Sequence, residues 1–400
     1  MTMPADTGGV ATPEAGIVRR HGRQRAPATV ALAGLAALAV AIGIGRFAFT
    51  PILPMMQADA GLSIRAGAWL ASANYVGYLM GAITAIAAGV RPRTAIRGAL
   101  ITIGVATLGM GLLHNLGGWL VLRAVAGFAS AWVLVFGSAW CLDRLATLER
   151  PLFTSAVFAG VGTGITAAGG FCLVLMRREA TSAQAWIGLG ALSLAMTAAV
   201  WPVFAARDDV LPGRTRGLPD RGHRWNAEAR LLALCYGAFG FAYIIPATFL
   251  PVMARQVVSD PSIFGWAWPT FGTAAAASTF AAALVRRFIG IRRLWIAGHV
   301  IMAAGLVIPI VWPSLAGIVL AALSVGGTFM VITMVGMQEA QRVGGVDARR
   351  LMAFLTSAFA VGQIVGPMIA GYLVGPDGSF REALLLAAFL LAASAYALAR

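Results

Sequence analysis

The sequence predicts an all-helical protein that spans a membrane twelve times. Hydrophobic residues make up 59% of the chain and charged residues only 11%, whereas a soluble domain carries about 25% charged residues. The apolar residues form stretches of about 20, the length needed to cross a bilayer as a helix. Because lipid cannot hydrogen-bond an open backbone, such stretches must be helical.

Twelve apolar stretches follow one another along the chain, separated by glycine, proline and charged residues. In order, they cover about residues 28–56, 66–90, 95–113, 118–141, 152–176, 185–205, 229–253, 263–285, 294–312, 314–338, 351–374 and 381–399. The first stretch follows Arg19, Arg20, Arg23 and Arg25 and is longer than the core of a cleaved signal peptide. We therefore expect it to be a helix retained in the protein.

The arginines predict the orientation. All 30 basic residues are arginine, and 23 of them fall in the segments that would be cytoplasmic if the N-terminus is inside, against 5 on the opposite side and 2 within helices. This bias predicts cytoplasmic N- and C-termini in a cell inner membrane. The net charge of +15 is thus explained by topology, and no nucleic-acid partner is expected.

The longest polar segment, residues 206–228, divides the helices six and six. We expect a cytoplasmic tail (1–27), a first six-helix bundle (28–205), a cytoplasmic linker (206–228) and a second six-helix bundle (229–400). A short internal echo favours duplication: Phe47-Ala48-Phe49 precedes Pro51 and Pro54, and Phe241-Ala242-Tyr243 precedes Pro246 and Pro251.

The sequence resembles the major facilitator superfamily over nearly its whole length. The stretches Gly43 to Pro51, Trp69 to Tyr78 and Gly362 to Pro367 resemble its YbfB/YjiJ-type branch. The resemblance implies two six-helix bundles that rock about a central site, so that the site opens alternately to either side of the membrane.

Several superfamily motifs are similar to segments of this chain, which implies roles in conformational coupling. These residues are Arg123 and Gly127 in the fourth helix, Gly162 and Gly164 in the fifth, and Arg287, Gly290 and Arg293 after the eighth. The loop after the second helix departs from the pattern, because Val90-Arg91-Pro92-Arg93 stands where an Asp and a Gly would be.

Arg46 is the strongest candidate for a substrate-binding residue. A charge at membrane depth costs several kcal/mol and tends to face a bundle interior or a water-filled cavity. Gly43 and Thr50 lie on the same helical face. The alternative is an arginine that extends outward to the membrane surface or caps backbone carbonyls at the Pro51 break.

Other polar side chains within the helices could complete a binding cavity. The candidates are Thr50, Asn74, Tyr75, Tyr78, Tyr243 and Gln363. Buried amides and phenols need partners in lipid, so hydrogen bonds between helices are the alternative role for Asn74, the tyrosines of the second helix and Gln363. Near Tyr243, Pro246 could simply shape its helix.

Acidic residues fall in tails, loops and helix ends, and Asp59, Asp143, Glu339 and Glu382 come closest to the membrane interior. Proton-coupled exporters of cationic drugs generally need an embedded carboxylate. We therefore expect a secondary transporter of a small anionic or neutral polar solute. Coupling could use a rim acid, His299 or the substrate's own proton, or be absent, and a proton-coupled multidrug exporter is the alternative.

Other classes of protein are disfavoured. The sequence has no His-Glu-x-x-His, Gly-x-Ser-x-Gly or phosphate-binding loop motif, so neither an enzyme nor an ATP-driven pump is expected. A sensor would normally carry a soluble output domain. The three cysteines lack metal-site spacing, and we expect no metal, no cofactor and a monomer whose partners are the bilayer, its substrate and at most a coupling proton.

Overall fold

The computed structural model describes residues 26–146, 151–205, 226–257, 261–373 and 380–400. Within these ranges the chain is helical and contains no strand. The helices are α1 (Pro27–Leu38), α2 (Phe49–Asp59), α3 (Ile64–Ala87), α4 (Pro92–Leu112), α5 (Leu116–Trp132), α6 (Ser138–Leu145), α7 (Pro151–Arg177), α8 (Ser182–Ala205), α9 (Ala227–Val257), α10 (Pro261–Val285), α11 (Ile291–Val311), α12 (Leu315–Gly344), α13 (Ala348–Leu373) and α14 (Arg381–Ala399).

Ten stretches of the described chain are long and apolar enough to cross a membrane. The longest, Leu315–Leu373, contains both α12 and α13, and α10 is a further helix of 25 residues outside the ten. The expected all-helical, many-spanning fold is confirmed, and these helices are consistent with twelve crossings. The expected tail, linker and bundle limits stay predictions, since residues 1–25 and 206–225 lie outside the described ranges.

Several helices begin where a side chain or a proline satisfies the first turn. Oγ of Ser63 accepts from the amide of Ala66 at 3.1 Å, and Oδ1 of Asn115 accepts from the amide of Gly118 at 2.7 Å. These bonds satisfy amides that a helix start leaves without an intrahelical acceptor. Pro92 stands in the first turn of α4, where its missing amide costs nothing.

The first crossing differs from the continuous helix that the apolar stretch predicts. Ala39–Ile44 is a π-helical segment, and a turn at residues 45–48 separates it from α2. The amide of Gly45 donates to the carbonyl of Val40, five residues back, at 2.8 Å. Pro51 provides no amide donor in the first turn of α2. A second π-helical segment, Val133–Gly137, joins α5 to α6. π-Helical segments are rare in proteins, and those that occur are often found at functional sites.

We call α1–α8 the first half of the described chain and α9–α14 the second half. In the first half α3 packs on α5 and α4 on α8; in the second, α9 packs on α13 and α11 on α12. The main contacts between the halves run along α7 against α10 and along α3 against α13. The arrangement agrees with the expected pair of bundles around a central interface.

Glycines bring α3 and α5 into backbone contact. A methyl group added at Gly77 or Gly81 of α3 would overlap the carbonyl oxygens of Ala124 and Phe128 on α5. One added at Gly127 would overlap the backbone of Asn74. Because lipid is as apolar as the helix surface, such close packing is what holds membrane helices together.

A glycine contact of the same kind joins the two halves. On α7, a methyl group at Gly162 would overlap the carbonyl oxygen of Gly272 and the backbone of Ala276 on α10. In return, one at Gly272 would lie 2.8 Å from the carbonyl oxygen of Gly162. The two helices therefore touch through their backbones at this point.

Candidate functional site

Arg46 lies in the turn that interrupts the first crossing, and it is only 4% exposed. Its side chain does not extend outward to the membrane surface, which was one alternative for this residue. The guanidinium group instead lies between the two halves and donates from Nη2 to Oε1 of Gln363 on α13. Arg46 is thus buried, as expected for a residue that faces a cavity within the bundle.

Aromatic rings surround the Arg46 guanidinium. Its Cζ lies 4.3 Å from the ring centre of Tyr78 and 5.2 Å from that of Tyr75, both on α3. The rings of Phe47 and Phe359 lie 5.5 and 6.0 Å away. Contacts of a desolvated cation with ring faces are attractive and partly compensate the loss of water.

Carbonyl capping at the helix break, the other alternative for Arg46, is carried out by Arg123. From α5, Nη1 donates to the carbonyl of Gly45 and Nη2 to that of Arg46, both at 3.1 Å. The Arg123 guanidinium also lies 4.9 Å from the ring centre of Phe49. Arg123 thereby stabilises the turn that carries Arg46, while Nδ2 of Asn74 donates to the Arg123 carbonyl at 2.9 Å.

A small cavity of about 20 Å³ lies beside the Arg46 guanidinium. It is close to the smallest space that holds one water molecule. Its lining comprises Ile42, Arg46, Phe47, Tyr78, Leu134, Val161, Tyr236, Phe329, Met330, Thr333, Phe359 and Gln363. Both π-helical segments contribute to it, through Ile42 and Leu134.

Three buried polar atoms around this cavity have no hydrogen-bond partner. They are Nε of Arg46, Nε2 of Gln363 and the hydroxyl of Tyr243. The two nitrogens are donors only and belong to side chains that line the cavity. No carboxylate forms an ion pair with Arg46 anywhere in the described ranges. An anionic group would satisfy both donors and the charge.

The second half supplies an aromatic wall. The ring of Tyr243 stacks on that of Phe329 at 4.6 Å with an interplanar angle of 8°, and on Phe359 at 6.2 Å with 18°. Tyr243 itself lies behind these two lining residues and is fully buried. The sequence does not single out Phe329, Phe359 and Tyr236, although Phe359 precedes Gln363 by one helical turn and so shares its face.

The remaining cavity candidates fall outside the lining. Asn74 is fully buried but faces α5, which is its alternative role as a link between helices. Thr50 is half-buried in the first turn of α2. Tyr75 contacts the Arg46 guanidinium from outside the cavity. Among the polar candidates, the structure therefore brings together Arg46, Tyr78 and Gln363, with Tyr243 behind them.

The glycines assigned to conformational coupling lie at close helix contacts: Gly127 between α5 and α3, Gly162 between α7 and α10, and Gly164 between α7 and the π-helical segment at Gly43. After α10, the hydrogen bonds are made by arginines that neighbour the two expected ones. Arg287 and Arg293 are exposed, and the bonds are made by Arg286, to Gln338, and by Arg292, to Glu228. Gly290 is the residue that caps the start of α11.

His299 lies in the interior of the second half and outside the cavity lining. Its Nδ1 is 3.1 Å from the carbonyl of Trp295 and its Nε2 is 3.5 Å from that of Cys235. Both ring nitrogens thus face backbone carbonyls, an arrangement typical of a structural histidine. Its role in proton coupling stays a prediction.

One acid is more deeply buried than the sequence suggests. Glu339 is 1% exposed and accepts two hydrogen bonds from Arg342, at 2.7 and 2.9 Å. Arg342 and Arg292 also lie 3.5 and 3.1 Å from Glu228. These groups connect α9, α11 and α12 on one side of the cavity. We call this side the arginine-rich end of the molecule. It is the side at which the following helices end: α3, α6, α8, α10, α12 and α14.

The halves are in contact on both sides of the cavity. At the arginine-rich end, Nη1 of Arg349 on α13 donates to the carbonyl of Ala88 at the end of α3, and its guanidinium lies 5.1 Å from the ring centre of Phe136. Toward the opposite end, Oγ1 of Thr166 lies 3.4 Å from the carbonyl of Pro269. The cavity therefore lies between two contacts that join the halves.

A larger groove of about 330 Å³ opens on the outer surface beside α4 and α8, but its lining, from Ile101 to Pro202, contains no charged residue. The described residues include no group of three or more His, Cys, Asp or Glu that could hold a metal ion.

Comparisons with known proteins agree with this architecture. No curated protein matches the sequence. Among solved structures, the crystal structure of the human organic anion transporter MFSD10 (TETRAN) is similar with a TM-score of 0.66; it covers 93% of this chain and 98% of its own, at 15% sequence identity. At that identity the similarity establishes the fold. A family model described as "Uncharacterised MFS-type transporter YbfB" matches residues 38–399. The chain therefore belongs to this family of major facilitator superfamily transporters.

Proposed function

We propose that this protein is a secondary transporter that carries a small organic anion by alternating access, and that Arg46 and Gln363 bind the anionic group. One observation carries the proposal. The guanidinium of Arg46 is buried between the two halves, and its hydrogen-bond acceptor is a neutral amide on the opposite half. The cation that would bind the substrate thus also spans the interface that must open.

The electrostatics of the cavity support an anion. A buried cation without a counter-ion is costly, and a neutral amide oxygen offsets only part of that cost. The described residues of the cavity supply no carboxylate. A bound carboxylate would accept from Arg46 and from Nε2 of Gln363, which already lies unpaired beside it. The human structural neighbour is itself described as an organic anion transporter.

Alternating access would proceed by parting the contacts at one end at a time. With a cavity of about 20 Å³, a substrate larger than water enters only when the halves separate. Opening toward the arginine-rich end would break the bond between Arg349 and Ala88. Opening toward the other end would break the contact between Thr166 and Pro269.

The orientation belongs to the same proposal. We place the protein as a monomer in the inner membrane with its arginine-rich end and both termini in the cytoplasm, and with halves that extend over residues 28–205 and 229–400. A fluorescent protein that matures only in the cytoplasm, fused after Arg400, should fluoresce in cells. A dark fusion that is present at full length in the membrane would contradict this orientation.

A proton-coupled exporter of lipophilic cations is the second candidate. Its support is Glu339, a buried carboxylate at the arginine-rich end. This carboxylate is already paired with Arg342, however, and it does not line the cavity. We therefore prefer the anion.

The proposal is tested by thermal unfolding of the purified protein with and without ligands. Organic anions should raise the melting temperature, and Arg46→Gln should weaken their binding about 30-fold, since a hydrogen bond to a charged group contributes about 2 kcal/mol. Arg178→Gln is the matched control, because Arg178 is an exposed arginine outside the cavity. Uptake of the best anion into liposomes should show the same dependence.

Two outcomes would contradict the proposal. One is stabilisation by a lipophilic cation such as tetraphenylphosphonium while no organic anion has an effect. The other is anion binding that Arg46→Gln and Arg178→Gln weaken equally, which would show a nonspecific response to positive charge. Size-exclusion chromatography of each variant shows whether it is folded.

A further inference from the structure

We infer that the transported anion is a monocarboxylate with a flat, apolar body, such as an aryl carboxylate. This inference rests on the proposed function and adds the chemical class of the substrate. It is carried by two features of the cavity lining: its single cation and its aromatic wall.

Among the lining residues, Arg46 and Gln363 carry the unpaired N–H groups. The lining also contains three hydroxyl groups, those of Thr333, Tyr78 and Tyr236. Thr333 already donates to the carbonyl of Phe329 in its own helix at 3.0 Å. Tyr236 is hydrogen-bonded to Thr333, and Tyr78 is hydrogen-bonded to Arg46. A substrate with several hydroxyl groups, such as a sugar, would therefore have to compete with existing hydrogen bonds.

A second anionic group would have no cation. The next buried arginine is Arg123, and its two Nη atoms are engaged by the carbonyls of Gly45 and Arg46. It is also absent from the cavity lining. Since an unpaired buried charge is strongly unfavourable, the cavity discriminates against dicarboxylates.

The apolar part of the lining favours a flat body. Phe329 and Phe359 face the cavity from the second half, and each is backed by the ring of Tyr243 in nearly parallel orientation, at 8° and 18°. From the first half, Phe47 contacts Phe329 edge-on at 5.9 Å. An aromatic ring entering between these walls would extend an existing set of ring contacts, which an aliphatic ring of the same size could not reproduce.

The test compares four ligands on the full-length protein by isothermal titration calorimetry. Benzoate carries one charge on a flat ring, cyclohexanecarboxylate carries the same charge on a puckered ring, phthalate adds a second charge, and benzamide has none. We expect benzoate to bind about fivefold more tightly than cyclohexanecarboxylate, the ratio that corresponds to one aromatic contact. Phthalate and benzamide should bind at least about tenfold more weakly than benzoate.

A variant isolates the role of the aromatic wall. Phe329→Leu keeps the site apolar and should reduce the preference for benzoate over cyclohexanecarboxylate to near unity, while both still require Arg46. Phe280→Leu is the matched control, since Phe280 is an exposed phenylalanine away from the cavity. If Phe329→Leu does not fold, the ligand series on the unaltered protein still decides the matter.

The outcomes separate this inference from the proposed function. If phthalate or an aliphatic dicarboxylate such as succinate binds most tightly, or if the two ring carboxylates bind equally, the inference is overturned. Loss of that binding in Arg46→Gln would leave the proposed function standing. If none of these anions binds while a lipophilic cation does, both are wrong.

Discussion

The two halves of the protein use corresponding positions in opposite ways. In the first half the initial crossing is interrupted and presents Arg46, whereas in the second half α9 is a continuous helix of 31 residues. In the sequence echo that aligns Phe47 with Phe241, Arg46 corresponds to Gly240. A methyl group at Gly240 would overlap the carbonyl oxygen of Phe359 on α13, so no side chain fits there.

Under the proposed function, the two bundles would contribute different groups to substrate binding. The first half provides a cation and the interrupted helix that positions it. The second half provides ring surfaces and the amide of Gln363, and it contributes no charged residue to the cavity lining. The lining is thus asymmetric, with a cation from one half and aromatic surface from the other.

The largest effect is expected from replacing Arg123, the residue that stabilises the interrupted helix of the first half. Arg123→Met leaves the carbonyls of Gly45 and Arg46 buried without donors, each at a cost of about 1–3 kcal/mol. We expect a loss of about 4 kcal/mol in stability and no anion binding. Arg123→Lys can still donate to one carbonyl, so its stability should lie between those of the unaltered protein and Arg123→Met. Thermal unfolding in detergent measures the stability of both variants. An unchanged melting temperature for Arg123→Met would refute the capping role.

A second test asks whether the glycine of the second half is as essential as its contacts indicate. Gly240→Ala forces a methyl group against the backbone of α13 and should destabilise the protein by about 2 kcal/mol. Gly237→Ala, one turn earlier in α9, is the matched control, because its methyl group would lie 3.3 Å from the nearest atom of Ala358. Equal melting temperatures for the two variants would contradict the close approach of α9 and α13.

The smallest expected effect concerns the contact between the halves at the arginine-rich end. Arg349→Ala removes the hydrogen bond to Ala88, which we expect to favour opening at that end by about 1 kcal/mol, or about fivefold. The readout is the rate of maleimide labelling of Thr333→Cys, a lining position, in a background whose native cysteines are replaced by alanine.

The control for this measurement is Arg350→Ala. Arg350 is the next residue along the chain, and its ion pair is with Asp347 of its own half, at 3.8 Å. Its removal should leave the labelling rate unchanged. The same acceleration in both variants would mean that the charge at this end, and not the link across the halves, controls access.

Much of the fold was predictable because lipid imposes strict rules on sequence. Most of the predicted helix ends lie within four residues of the observed ones, although α12 extends to Gly344, six residues past the expected end. Arg46 in the first stretch is buried between the halves, and its role in substrate binding stays a prediction. The π-helical turn that presents Arg46 was not foreseen, because Pro51 marks a break but does not specify the backbone hydrogen bonds before it.

The aromatic wall was missed for a physical reason. Nearly every residue of a membrane helix is apolar, so Phe329 and Phe359 do not stand out by composition, and only their spacing of four residues from Thr333 and Gln363 places them on the same faces. The arginines after α10 show a limit of a different kind. Arg287 and Arg293 match a family pattern and are exposed, whereas their neighbours Arg286 and Arg292 make the hydrogen bonds. The coupling role of Arg287 and Arg293 stays a prediction.

The contact between Gly162 and Gly272 is a place where the halves could be held apart, as the proposed alternating access requires at one stage of transport. Where two backbones touch, an added side chain acts as a wedge whose size sets the separation of the halves. Substitutions of increasing bulk at Gly272, from alanine to valine to leucine, should therefore increase the distance between α7 and α10 in steps. Such a series would supply homogeneous samples for crystallisation or imaging without a bound inhibitor.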